Sequence, residues 1–166
     1  MTPTADASGS AFTVDLDPAL PPQEALCRIL DLRQHDRIIP LTRVTPAVPA
    51  DELAPGTEFV ARTGIGPIGF DDVMRVEAIT LGDDQPHAGA TITKHARIIR
   101  GTIHLTITPT AAGCHVRWHQ SVHLPWLPRF AQGSAARVIR LGYRTVVSQL
   151  LAADPLELAR PPRSQP

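Results

Sequence analysis

Histidine recurs every four residues at His115, His119 and His123, a spacing that would put metal ligands on one face of a helix. The surrounding residues read as a strand, where four residues span about 13 Å, too far for one ion. His104 and His119 form the better pair, side by side on adjacent strands. Both are expected to face outward, and two exposed histidines without a third ligand make a poor site. With Thr106, Thr108 and Arg117 they read as a polar outer face, and no metal is expected.

Other chemistries find little support. There is no Gly-x-Ser-x-Gly elbow to expose a nucleophilic serine. Gly64-Ile65-Gly66 is followed by Pro67 and a strand, whereas a phosphate loop needs a helix start. Nothing indicates ATP, NAD, flavin or haem, so no cofactor is expected. Cys27 and Cys114 have neither CxxC nor zinc spacing and are expected as reduced thiols.

A more informative set emerges from the elements that position it. Ala11–Asp17 alternates as a first strand. Pro21-Pro22-Gln23-Glu24 opens a helix, since proline suits a first turn, and Arg33–Ile39 forms a second. Leu41–Val48 is a short strand made an edge by Pro46 and Pro49. Thr57–Thr63, Ile68–Leu81, Gly89–Arg100, Gly101–Thr110 and Gly113–Leu124 follow, with a polar loop over Gly82–His87. The break Pro125-Trp126-Leu127-Pro128 precedes a long amphipathic helix over Arg129–Ala152. The order β-α-α-β6-α predicts an α+β fold, a curved antiparallel seven-stranded sheet gripping the terminal helix.

Directly opposed residues of antiparallel strands share a face, so the inward face can be carried across the hairpins. A turn over Pro109–Cys114 sets Trp118 opposite Leu105. A tight turn at Arg100-Gly101 sets Leu105 opposite Ala96, and the Gly82–His87 loop sets Met74 opposite Ile98. Asp72, Lys94, Arg100 and Gln120 then point inward, with Asp72 nearly opposite Arg100. A buried charge needs a partner. These groups are either a satisfied ion pair or wet rim, or they anchor a ligand or act as acid and base.

On the terminal helix, Ala131, Ala135, Val138, Ile139, Gly142, Val146 and Leu150 form the apolar face. Gly142 marks close packing or space for a guest. Arg137, Arg140 and Arg144 line the other side, as a solvated face or a site for an anionic partner. Trp126 either packs a corner or lids a pocket mouth.

The 166 residues suit one domain over 11–152, between a disordered segment 1–10 and a flexible Pro-rich tail 153–166. The formal net charge of zero argues against a nucleic-acid or anionic-membrane partner. Lys94 is the only lysine among the basic residues, a sign of genome composition bias. No apolar run approaches the ~20 residues of a membrane span, and the N-terminus lacks signal-peptide features, so a cytoplasmic location is expected.

Certain local phrases, in this order of segments, resemble the START-like superfamily, which includes polyketide cyclase/dehydrase and lipid-transport proteins with the Bet v 1-like helix-grip fold. They are Pro21-Pro22-Gln23-Glu24, Asp31 with His35 and Pro40, Leu53-Ala54-Pro55-Gly56-Thr57, Gly69-Phe70-Asp71-Asp72-Val73-Met74, Arg100-Gly101 with Leu105-Thr106-Ile107-Thr108-Pro109, and the Trp118 strand. The resemblance spans about residues 11–152. It implies a hydrophobic pocket between sheet and terminal helix, and it carries over no catalytic residue.

The leading expectation is a module that binds or carries a small hydrophobic molecule, such as a lipid, polyketide or aromatic. Its candidate lining is Phe59, Phe70, Asp72, Met74, Arg100, Leu105, Trp118 and Gln120, with Val138 and Gly142 from the helix. A cyclase or dehydratase would use the same pocket, with Asp72 and Arg100 as acid and base and Gln120 as an orienting donor. A third reading is a non-catalytic interaction or stress protein. The expected partner is the small ligand, without nucleic acid or stable membrane insertion, and the chain is expected to be a monomer or homodimer.

Overall fold

A computed structural model describes residues 10–81 and 87–153. The expected disordered segment and Pro-rich tail fall almost wholly outside the described residues, as does most of the Gly82–His87 loop. Seven strands form one antiparallel sheet: β1 (Ser10–Leu16), β2 (Thr42–Thr45), β3 (Glu58–Ile65), β4 (Ile68–Thr80), β5 (Ala88–His95), β6 (Arg100–Thr110) and β7 (Gly113–Val122). Their spatial order is β1-β7-β6-β5-β4-β3-β2, so Pro-flanked β2 is an edge. Two short helices, α1 (Pro22–Leu30) and α2 (Leu32–Ile38), follow β1, and α3 (Arg129–Ala152) closes the chain. This is the expected α+β helix grip.

Each helix is explained by its buried stripe and its ends. Pro22 starts α1, which buries Ala25, Leu26, Ile29 and Leu30. Arg28, on the same helix, reaches across to α3. Its guanidinium donates to the carbonyls of Leu151 and Ala153, both at 2.7 Å, and so caps the end of α3. At the other end of α3, buried Gln132 secures the proline break. Its Oε1 accepts from the Leu124 amide at 3.1 Å, and its Nε2 donates to the carbonyls of Leu124 (2.7 Å) and Leu127 (2.8 Å). Gln132→Ala removes the side-chain partner of the Leu124 amide and the Leu127 carbonyl, while the Leu124 carbonyl keeps the Leu127 amide at 3.0 Å. It is expected to cost about 2–3 kcal/mol in urea unfolding, with exposed Gln149→Ala as the unaffected control.

Two corrections concern the register. The β6–β7 pairing is as expected, with Leu105 opposite Trp118 and Ile107 opposite Val116. The expected tight turn at Arg100-Gly101 is instead a longer connection over residues 96–99, and β5 ends at His95. Leu105 therefore faces Ala90, not Ala96. Met74 faces Lys94, not Ile98. Both shifts are even, six residues and four, so the faces within β4, β5 and β6 are preserved, but Arg100, expected inward, moves into β6 opposite His95 and points outward with His104. A bulge between Val76 and Ala78 reverses the parity only beyond that point.

A third correction concerns α3, which is turned from the expected orientation. Its sheet-facing stripe runs through Gln132, Ala136, Ile139, Tyr143, Val147 and Leu150. Val138 is 71% exposed, and a Cβ on Gly142 would meet nothing within 4 Å. Gln132 and Tyr143 are turned inward because each finds interior partners, which an apolar pattern does not register.

Candidate functional site

The concave face of the sheet is mostly apolar, and a set of buried residues carries its charge and unpaired polar atoms. β4 supplies Asp72 and Met74, β5 supplies Lys94, and β7 supplies Trp118 and Gln120, all buried. Strand parity puts all five on the concave side, and Tyr143 of α3 packs against Trp118 and lies near Lys94. Lys94 lies opposite Met74, so its side chain reaches diagonally to Asp72, two residues further along β4.

Lys94 Nζ forms an ion pair with Asp72 Oδ2 and lies 3.3 Å from Met74 Sδ. It also sits 5.8 Å from the centroid of the Tyr143 ring, within cation–π range. Burial acts to discharge Lys94. The Tyr143 phenol and the Asp72 carboxylate, by charge and hydrogen bonding, outweigh it and hold the ammonium's pKa above its ordinary value. The Tyr143 ring packs 5.2 Å from Trp118 and 5.9 Å from Phe12, centroid to centroid. Beside the cluster, burial pushes the pKa of His35 down, opposed by its Nε2 bond to the Ile29 carbonyl at 2.9 Å.

The orientation of Gln120 follows from its neighbour. An indole N–H can only donate, so the 3.0 Å bond from Trp118 Nε1 fixes the amide oxygen on that side. The amide Nε2 then points away, buried and without a hydrogen-bond partner among the described residues. Asp72 Oδ1 is in the same position. Unsatisfied buried groups of this kind are rare and costly. The concave face thus offers one free acceptor, on Asp72, and one free donor, on Gln120.

Two clefts open near these elements. One, of about 350 Å³, lies between β1 and α3 and is lined by Phe12, Thr13, Ala136, Arg137 and Arg140. The other, of about 190 Å³, is on the outer face beside Thr91 and His104. Neither is lined by Asp72, Lys94 or Gln120, but Phe12 separates the first from Tyr143.

Of the residues named from sequence, Phe59, Asp72, Met74, Leu105, Trp118 and Gln120 are buried on the concave face. Phe70, Arg100, Val138 and Gly142 are not. Phe70 has the right parity, but it lies on the part of the β3–β4 hairpin that projects past β5. Arg100 is displaced because β5 ends at His95, its register partner, which leaves Lys94 as the cation for Asp72. Tyr143 was absent from the sequence reading. Its one signal was a polar-tipped aromatic flanking an otherwise apolar stripe.

The histidine pair sits as the register demands. His104 faces His119 on the outer side, and their Nδ1 atoms meet Thr91 Oγ1 (3.4 Å) and Thr13 Oγ1 (3.0 Å). Among the described residues no group of three or more His, Cys, Asp or Glu could hold a metal ion. Cys27 and Cys114 are both free thiols. No helix among the described residues is long and apolar enough to cross a membrane.

No family model matches the chain, and no curated protein matches it. Solved structures do. Protein MLL2253 from Mesorhizobium loti is similar over 92% of this chain and 100% of its own, at 17% identity and a TM-score of 0.61. Ara h 8.0201 covers 87% of this chain and 99% of its own, at 12% identity and a TM-score of 0.57. The di-domain ARO/CYC StfQ from the steffimycin biosynthetic pathway covers 90% of this chain and 52% of its own, at 15% identity and a TM-score of 0.65. At such identities the likeness speaks for architecture, and the architecture is a Bet v 1-like helix grip.

Proposed function

We propose that this protein binds and carries a small hydrophobic molecule between the concave face of its sheet and α3. The observation that carries the reading is a pair of buried polar atoms without partners among the described residues on the largely apolar concave face, Asp72 Oδ1 in the ion pair with Lys94 and Gln120 Nε2 beside Trp118. A cargo polar group that donates to Asp72 Oδ1 or accepts from Gln120 Nε2 would satisfy it, while Phe59, Met74, Leu105 and Trp118 meet the apolar body. The β1–α3 cleft, about 350 Å³, is of ordinary ligand-site size and leads to Phe12 and Tyr143. A swing of these two rings would join it to the polar cluster. The likeness to StfQ, an ARO/CYC of the steffimycin biosynthetic pathway, keeps a polyketide-like cargo among the candidates. Two free thiols suit a reducing compartment such as the cytoplasm.

A catalytic reading has no specific observation in its favour, because Asp72 and exposed Arg100 are not brought together as acid and base.

The test is native mass spectrometry of protein purified from its own host, followed by displacement of N-phenyl-1-naphthylamine by the released molecule. A co-purifying apolar compound is expected. Gln120→Met should weaken its binding about tenfold through the lost hydrogen bond. If no small molecule co-purifies and the probe does not bind, the reading fails.

A further inference from the structure

One end of the sheet gathers the starts of β1, β2, β4 and β6 and the ends of β3, β5 and β7. The exposed apolar surface concentrates there. The projecting β3–β4 hairpin carries Ile65, Phe70 and 81%-exposed Ile68. Strand parity puts all three on the concave side. The β5–β6 connection contributes Ile98, the proline break contributes Trp126 (65% exposed), and the first turn of α3 contributes Phe130 (89% exposed). Trp126 Nε1 donates to the Ile98 carbonyl at 3.1 Å, tying two of these segments together. A folded domain rarely leaves so many large apolar side chains on one surface without a use for them.

Charge indicates the use. Arg97, Arg100 and Arg129 are exposed at this end, and no acidic side chain pairs with them among the described residues. The neighbouring acids are engaged elsewhere. Asp71 pairs with Arg62 at 2.9 Å, Asp36 accepts from the Val44 amide at 2.5 Å, and Glu58 lies 3.7 Å from His95, the register partner of Arg100. Asp15 and Asp17 lie at the opposite end beside His115. The zero net charge of the chain therefore conceals a locally basic end.

We propose that this end docks on the surface of an anionic lipid bilayer. Trp126, Phe130, Ile68 and their neighbours sit at headgroup depth, and the three arginines meet lipid phosphates. A second copy of the chain fits less well. A two-fold contact would bring the same unpaired arginines together, and like charges across an interface repel. Protruding turns also enter a soft interface more readily than they make a flat self-complementary one. The docking stands apart from the cargo reading, and neither depends on the other.

The test is co-sedimentation of the full chain with vesicles of phosphatidylcholine, alone or with about 30 mol% phosphatidylglycerol. Binding is expected to the anionic vesicles and should weaken as salt rises from about 0.1 to 0.5 M. Phe130→Ser combined with Ile68→Ser should reduce it about tenfold or more. Arg97→Glu with Arg129→Glu should remove the preference for anionic lipid. Val138→Ser with Leu141→Ser, exposed apolar positions elsewhere on α3, should change nothing. All these sites are exposed, so an unchanged circular dichroism spectrum keeps the comparison valid. Three outcomes overturn the proposal: no binding to either vesicle, equal loss with the Val138 and Leu141 control, or a dimer that Phe130→Ser and Ile68→Ser dissolve.

Discussion

Lys94→Met is expected to lower stability by about 3–5 kcal/mol at pH 7, as usually follows when one partner is removed from a buried ion pair. Lys94 Nζ is its ionic partner in the structure, so the variant strands the Asp72 carboxylate in an apolar interior. The unfolding midpoint in urea or on heating measures the loss. A further measurement separates this cause from lost packing. The double variant Lys94→Met/Asp72→Leu removes both charges and should recover most of the stability. A double variant no more stable than Lys94→Met would mean that packing, not charge, is responsible.

Gly101→Ala is expected to cost about 3–5 kcal/mol, more than the 1–3 usual for backbone strain alone. Gly101 holds a φ of +153°, which side-chain-bearing residues rarely adopt. A Cβ there would also collide with the carbonyl of Ser121 on β7, whose carbon lies at only 2.8 Å. Both neighbours are backbone within a sheet and cannot turn aside. Gly101 is also the register partner of Lys94, so any shift of β6 reaches the ion pair. Gly142→Ala is the contrast. Its Cβ meets nothing within 4 Å, and in a helix the change should add about 1 kcal/mol. Equal effects at the two glycines would sink the argument from close approach.

Strands, helices and inward parity could be read from the chain because they depend on local rules. Alternation marked β6 and β7, and the turn at Pro109–Cys114 set their register. The proline break and the apolar spacing after it gave α3 its bounds of Arg129–Ala152. The candidate site was legible one residue at a time but not as pairs. Asp72, Lys94 and Gln120 could be recognised as polar side chains on an apolar face. Which cation met Asp72 depended on the length of one connection, and Ala96–Ile99 alternates well enough to pass for strand. The inward position of Tyr143 depended on the rotation of α3. That rotation is set by hydrogen bonds of Gln132 to backbone groups around the proline break. Such bonds leave no periodic trace in a sequence. The basic, apolar end was hidden for a different reason: a net charge is a sum, and a surface is a distribution.

The place of β1 in the sheet has a consequence for synthesis. β1 is an edge whose strand partner is β7, paired from Ser10↔Val122 to Leu16↔Val116. A chain emerging from the ribosome presents β1 about a hundred residues before its complement. Until then β1 has no partner in the sheet, and α3, which packs against it, has not yet been made. Folding of the grip is therefore deferred until β7 and α3 have been made and belongs to the slow regime in which distant contacts must close first. A nascent chain stalled before residue 116 would expose an apolar strand with no native neighbour, an open edge for chaperones or for other chains.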